Sequence, residues 1–133
     1  MASCQLNDGL TLIATPIGNL RDITHRAIDA LLKADQILCE DTRVSRKLLS
    51  RYNITTKLTA YHEHNANSLR PKIIEALQEG KKIALISDAG TPNISDPGYK
   101  LIESCLENNI EVSTVPGPTA VIAALSISGL PTN

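Results

Sequence analysis

The sequence has no phenylalanine and no tryptophan, and its only aromatic residues besides histidine are three tyrosines among 133 residues. That poverty excludes a surface that binds single-stranded nucleic acid by stacking bases on a platform of aromatic rings. Long apolar runs are missing too, and none approaches the roughly 20 residues of a membrane-spanning helix. The opening M-A-S-C-Q-L-N-D-G-L has neither the basic nor the apolar region of a secretory signal, so a cytoplasmic protein is expected. Three cysteines, Cys4, Cys39 and Cys105, are odd in number and far apart. They suit neither a disulfide framework nor a C-x-x-C metal knuckle and are expected to be reduced and structural. Neither G-x-G-x-x-G nor G-x-x-x-x-G-K-[ST] occurs, so the usual dinucleotide and P-loop fingerprints carry no weight here.

What is present suffices for one compact domain with its own core: 42% of the residues are hydrophobic. A net charge of −1 conceals an asymmetry. Residues 20–72 hold ten Lys/Arg against six Asp/Glu, a net +4, while the remainder holds three against eight, a net −5. The basic half either faces a polyanion or is ordinary solvated surface, since no block of like charge exceeds two residues.

Apolar runs alternate with helical patterns along the chain, the signature of an α/β domain with an open, mostly parallel five-stranded sheet and helices on both faces. Strands are predicted at residues 9–15, 36–39, 57–61, 82–87 and 110–115. The continuous apolar run Ile83, Ala84, Leu85, Ile86 marks the fourth as central. Asp22 is predicted to cap a helix with an apolar stripe of Ile23, Ala27, Ile28, Leu31 and Leu32. A second helix, residues 43–51, turns Val44, Leu48 and Leu49 inward and lines up Arg43, Arg46, Lys47 and Arg51 on another face. A third spans about residues 68–79, with Pro71 in its first turn. Asp96 and Pro97 cap and start a fourth, which should bury Tyr99, Ile102, Cys105 and Leu106. Pro118 suits the first position of a fifth, in which Ala120, Val121, Ile122, Ala123, Ala124, Leu125 and Ile127 leave no polar face, so that it must be covered by the sheet on one side and by something else on the other.

The turns that follow the strands are T-P-I-G-N, E-D-T-R, Y-H-E-H-N, S-D-A-G-T-P and P-G-P-T, all on one edge of such a sheet. Ligands of open parallel sheets sit at that edge. The longest of these turns, S-D-A-G-T-P-N-I-S-D-P-G at residues 87–98, exceeds the usual 2–6-residue connection and has the chemistry of a ligand loop. Gly18 and Gly90 permit close backbone approach, although Gly18 equally suits a tight turn. Asp88 either accepts hydrogen bonds from a ligand or stabilises its own turn. Glu40, Asp41, His62 and Glu63 are candidate proton acceptors, with Asp41 alternatively a helix cap. His62 and His64 are two apart on an extended segment, but no third ligand with its own spacing accompanies them, so no metal site is expected.

The five segments A-T-P-I-G-N-L-R-D-I-T (14–24), C-E-D-T-R (39–43), Y-H-E-H-N (61–65), S-D-A-G-T-P-N-I-S-D-P-G (87–98) and V-P-G-P-T-A (115–120) resemble those of bacterial 16S ribosomal RNA cytidine 2'-O-methyltransferases of the small subunit methyltransferase I type. These belong to the tetrapyrrole methylase superfamily. The resemblance covers residues 10–133 and only the family's N-terminal domain, with a linker expected from about residue 129 and Asn133 expected to mark a boundary within a longer protein. It implies an enzyme that binds S-adenosylmethionine between two domains, methylates small-subunit ribosomal RNA, and forms a homodimer when full-length. It places Pro16, Gly18, Asp88, Ala89, Gly90, Thr91, Ile94, Ser95, Thr119 and Ala120 at the cofactor, and makes Arg43, Arg46, Lys47 and Arg51 an RNA patch. It further implies that this fragment alone is inactive, because much of the adenosine contact comes from the second domain. Two other readings remain: a methyltransferase of a tetrapyrrole or diphthamide precursor, against which T-P-I-G-N and E-D-T-R argue, and a non-catalytic module for RNA docking or assembly.

Overall fold

Five parallel strands, in the order β3-β2-β4-β1-β5, make one sheet: β1 (Gly9–Ile13), β2 (Gln36–Cys39), β3 (Leu58–Ala60), β4 (Lys82–Leu85) and β5 (Val112–Val115). The computed structural model describes residue 6, residues 8–92 and residues 97–132. Cys4, Ile94, Ser95, Asp96 and Asn133 lie outside the described residues. The predicted central place of β4 is observed, with Ile83 and Ala84 fully buried.

Because strand side chains alternate between faces, the core divides in two. Ile13, Ile37, Cys39 and Ala84 point to one face, where α1 (His25–Lys33) and α2 (Thr42–Arg51) pack through Ala27, Leu31, Leu48 and Leu49. Leu10, Leu38, Ile83 and Leu85 point to the other, against Ile73 and Leu77 of α3 (Ala66–Gln78) and Leu101 and Cys105 of α4 (Gly98–Glu107). Each fully buried Leu or Ile side chain contributes about 1.5–3 kcal/mol.

Right-handed crossovers then fix the site. From β1 the chain leaves towards β2 across the α1 face, whereas from β4 it leaves towards β5 across the α4 face. The adjacent carboxyl ends of β1 and β4 therefore flank the point where the connections diverge, the crevice in which open sheets bind ligands.

Several predicted details are corrected. Thr24, not Asp22, caps α1, its Oγ1 accepting from Ala27 N at 3.0 Å, while Asp22 closes a 3-10 turn (Leu20–Asp22) capped by Asn19. Leu32 is exposed. On α2, Val44 is 40% exposed and Ser45 takes the inward position beside Leu48 and Leu49. Pro71 is the sixth residue of α3, beyond the first turn, on an exposed face where water can reach the Asn67 carbonyl that lacks its helical donor. The buried face of α4 is Gly98, Leu101 and Cys105: Cys105 is buried as predicted and Ile102 packs partly buried against the core, but Leu101 takes the central place and Tyr99 and Leu106 are 48% and 62% exposed. Pro97 stands at the N-cap of α4 and Thr119 at that of α5 (Ala120–Ile127), so neither proline at these starts is the first helical residue.

The sheet does not cover α5. None of its residues is buried, so its Val121, Ile122, Leu125 and Ile127 meet solvent on what was predicted to be a two-sided interior helix. No charged residue follows Glu111 in the sequence. Among the described residues no helix is long and apolar enough to cross a membrane.

Candidate functional site

The turns at the carboxyl edge are tied to one another by backbone. After Ile13 the chain leaves the sheet, and Thr15 pairs antiparallel with Gly90: Thr15 N donates to the Gly90 carbonyl at 3.0 Å and Gly90 N to the Thr15 carbonyl at 2.9 Å. The Thr15 hydroxyl, 1% exposed, donates to the carbonyls of Ser87 and Gly90 at 3.3 and 3.4 Å. Gly90 has φ +76°, and a Cβ there would lie 3.2 Å from Ile17 Cγ2 and 3.6 Å from the Pro118 carbonyl. Only glycine leaves this cradle open without strain. The Thr91 hydroxyl donates to the Pro118 carbonyl at 3.3 Å, tying the β4 turn to the β5 turn. Gly117 sits where a Cβ would come within 3.1 Å of Ala14 Cβ, so the β5 turn packs tightly on the β1 turn.

The β2 turn joins through Asp88, whose Oδ1 accepts from Asp41 N at 3.3 Å. Asp41 caps α2 by accepting from Arg43 N at 2.9 Å, and the Arg43 guanidinium grips both its oxygens, Nε to Oδ1 at 3.2 Å and Nη2 to Oδ2 at 3.0 Å. This side-chain pairing with Arg43 holds the Asp41 carboxyl below the usual carboxylate value and raises the Arg43 guanidinium in turn. A carboxylate so held is a weaker proton acceptor than an unpaired one.

Two adjoining cavities share Asp88. An open polar cleft of about 450 Å³ is lined by Glu40, Asp41, Thr42, Arg43, Ala60, His62 and Asp88. It brings together three of the four predicted proton acceptors; Glu63 is exposed and does not line it. His62 is positioned by its own backbone, with N donating to Asn65 Oδ1 at 2.8 Å and its carbonyl receiving the Ala66 N–H at the start of α3. Its Nδ1 is buried without a hydrogen-bond partner. His62 and His64 lie on a turn leading into α3, not on the extended segment expected, with ring centroids 5.8 Å apart, and no group of three His, Cys, Asp or Glu able to hold a metal occurs among the described residues.

The second cavity, about 250 Å³, is apolar and runs between the β1 turn and α2, bounded by Pro16, Leu20, Val44, Leu48 and Ile86. Sequence reasoning assigned Pro16 to the cofactor and missed Thr15, Leu20 and Ser45. Nothing in periodicity marks a buried serine as special, although the start of T-P-I-G-N could have pointed to Thr15. Of the remaining predicted cofactor residues, Gly90 and Thr91 border the β1 and β5 turns, and Thr119 and Ala120 start α5. Arg43, Arg46, Lys47 and Arg51 are all exposed on α2, with Arg51 stacked 5.6 Å over the Tyr52 ring. Burial pushes the Cys39 thiol up and that of Cys105 up to about 11, so both are inert interior groups.

Sequence comparison agrees with the architecture. The chain is 58% identical over 128 residues to the "Ribosomal RNA small subunit methyltransferase I" of Mesorhizobium japonicum, covering 96% of this chain and 44% of that protein. It is 54% identical over 123 residues to the protein of the same name from Halalkalibacterium halodurans, covering 92% of this chain and 43% of the relative. The chain thus spans somewhat less than half the length of these relatives. Its fold matches the crystal structure of a diphthine synthase with a TM-score of 0.72 at 14% identity, over 92% of this chain and 49% of that one. Residues 9–133 match the family described as Tetrapyrrole (Corrin/Porphyrin) Methylases, and it is to this family that the chain belongs.

Proposed function

We propose that this chain provides the strand-edge half of an S-adenosylmethionine site in an enzyme that methylates the 2'-hydroxyl of a cytidine in small-subunit ribosomal RNA. One observation carries the reading: the turns after β1, β2, β4 and β5 are laced together by the Thr15–Gly90, Asp41–Asp88 and Thr91–Pro118 hydrogen bonds around a cradle that a Cβ would obstruct. Backbone held this way offers fixed carbonyl and amide groups to a polar ligand without reorganisation on binding. The names of the relatives support small-subunit ribosomal RNA as the substrate, and the cytidine 2'-hydroxyl follows from the resemblance of the five strand-end segments.

The residues present fit the methyl donor. Asp88, Ala89, Gly90 and Thr91, with Thr119 and Ala120, would hold it; Ile94 and Ser95 belong to the same segment by resemblance. When bound, S-adenosylmethionine supplies a methyl group on a cationic sulfur, and the carboxylates of Glu40 and Asp88 complement that charge, Asp41 being neutralised by Arg43. The acceptor hydroxyl must be aligned and lose its proton. Glu40 and His62 are the groups of the polar cleft available for that, since Asp41 is committed to Arg43. The uncovered apolar α5 is where a second domain or second copy packs in the full-length homodimer.

The test is methylation of isolated small ribosomal subunits by the full-length protein with labelled S-adenosylmethionine, followed by mapping of ribose methyl groups. A single 2'-O-methylcytidine is expected. Transfer to a tetrapyrrole or diphthamide precursor and none to the subunit would overturn the reading, as would RNA binding without any transfer.

A further inference from the structure

The apolar cavity beside α2 has three features that its structural role does not require. First, Leu20 and Val44, each 40% exposed, present apolar surface to it. Second, Ser45 in its wall is 3% exposed, and its Oγ has no hydrogen-bond partner. The neighbouring Cys39 thiol donates to the Thr59 carbonyl, 3.9 Å away, and the Ser45 hydroxyl beside it offsets part of the thiol's burial. A buried hydroxyl left unpaired is costly unless something else completes it. Third, Lys47 stands at the rim, in a row of cations with Arg43, Arg46 and Arg51.

The walls are braced to keep the cavity open. The Tyr52 hydroxyl, at the end of α2, donates to the Leu20 carbonyl and so ties the β1 turn to α2. The floor is Thr15 and Ile86, both buried. At about 250 Å³ the space falls below the roughly 300–1,000 Å³ of sites that enclose a whole drug-sized ligand, so it suits a single planar group.

We infer that this pocket takes the base of the ribonucleotide being modified, swung out of its stack, with Lys47 at the rim holding a flanking phosphate. The inference rests on the RNA reading above. Proteins that read RNA bind unstacked bases between apolar side chains and complete the base edge with hydrogen bonds, while cations hold the backbone. Leu20 and Val44 supply the apolar sandwich in a chain without Phe or Trp. Ser45 Oγ, buried in the wall, reaches the base edge once its hydroxyl turns into the cavity, and there it both donates and accepts. Asp88, shared by the two cavities, puts the sugar of a base seated here next to the polar cleft with Glu40 and His62. Pro16 then serves the base and not the methyl donor.

The experiment uses the full-length protein with isotope-labelled Val and Leu methyl groups, titrated with cytidine 5'-monophosphate, ribose 5-phosphate or S-adenosylhomocysteine. Cytidine 5'-monophosphate should shift the methyl signals of Val44 and Leu20, and the two base-free or donor-site probes should not. In the methylation assay, Ser45→Ala should leave thermal stability equal or higher, because it removes an unpaired buried hydroxyl, yet raise KM for the subunit roughly fivefold. Val44→Gln should raise KM roughly tenfold without changing S-adenosylhomocysteine binding. Unchanged KM in both variants, or Val44 and Leu20 signals moved by S-adenosylhomocysteine or ribose 5-phosphate as strongly as by the nucleotide, would overturn the base pocket while leaving RNA methylation standing. Absence of any subunit methylation by the unaltered protein would instead overturn the RNA reading, and the nucleotide titration would still decide the pocket.

Discussion

Thr15 and Gly90 exchange two backbone hydrogen bonds, 3.0 and 2.9 Å, across the gap between the carboxyl ends of β1 and β4. This two-residue bridge lies where the crossover connections diverge, so it links the one place in the sheet that topology leaves open. It also forces Gly90 to φ +76°.

Replacing Gly90 with alanine should therefore damage both the loop and donor binding. A side-chain residue at positive φ costs about 1–2 kcal/mol, and the new Cβ presses on Ile17 at 3.2 Å. Urea unfolding should report a loss of that size. Calorimetric titration of the full-length variant with S-adenosylhomocysteine should show weakened binding beyond what the unfolded fraction explains. Full affinity in a folded Gly90→Ala protein would remove the cradle from the donor site.

The two readings of α4 differ in placing Leu101 or Leu106 inside and predict opposite mutational results. Leu101 is fully buried, so Leu101→Ala should cost about 2–5 kcal/mol in chemical denaturation. Leu106, 62% exposed, should tolerate alanine within about 0.5 kcal/mol. A larger loss at Leu106 than at Leu101 would return the helix to the orientation predicted from sequence.

That slip shows where sequence information ran out. Alternation and apolar runs gave the five strands, their parallel arrangement and the edge that carries the candidate site, because strand burial has a short period and residues 83–86, in and just after β4, read as Ile-Ala-Leu-Ile. Helix orientation is softer. On α4, Leu101–Cys105 and Ile102–Leu106 are equally apolar rows, and only packing against Leu10 and Ile83 chooses between them. Likewise, Val44 is apolar and was expected inside, yet Ser45 holds the inward place. The tie between Asp41 and Asp88 joins residues 47 apart, a contact that no local pattern encodes.

The Asp41–Arg43 pair makes stability depend on pH in a defined direction. The folded carboxyl lies below its ordinary value of 3.8, so the pair's contribution is present above that pH and is lost as acid takes the pH down through the lowered folded value. Asp41→Asn keeps a capping side chain but not the charge. The variant should be less stable than the parent at pH 7, and the gap in urea midpoints should narrow as the pH falls below about 4. A gap that stays constant down to pH 2 would show that the carboxylate charge does not matter to the fold.

The same pair divides the cationic row of α2 into unequal members. Arg43 is neutralised by the carboxylate it grips, whereas no carboxylate pairs with Arg46 or Lys47 among the ion pairs of the described residues. If the row holds single-stranded RNA, each phosphate contact contributes about 0.7 to the slope of log affinity against log salt concentration. The double variant Arg46→Ala with Lys47→Ala in the full-length protein should reduce that slope by up to about 1.4. Arg43→Ala should reduce it less, because removing a charge already paired releases few counterions and leaves Asp41 exposed to repel the backbone. Filter binding of an RNA fragment across a salt series measures all three proteins on one scale. Identical slopes in the parent and the double variant would make the row solvated surface, and a larger effect from Arg43 than from the pair would mean that the guanidinium leaves Asp41 to meet the phosphate.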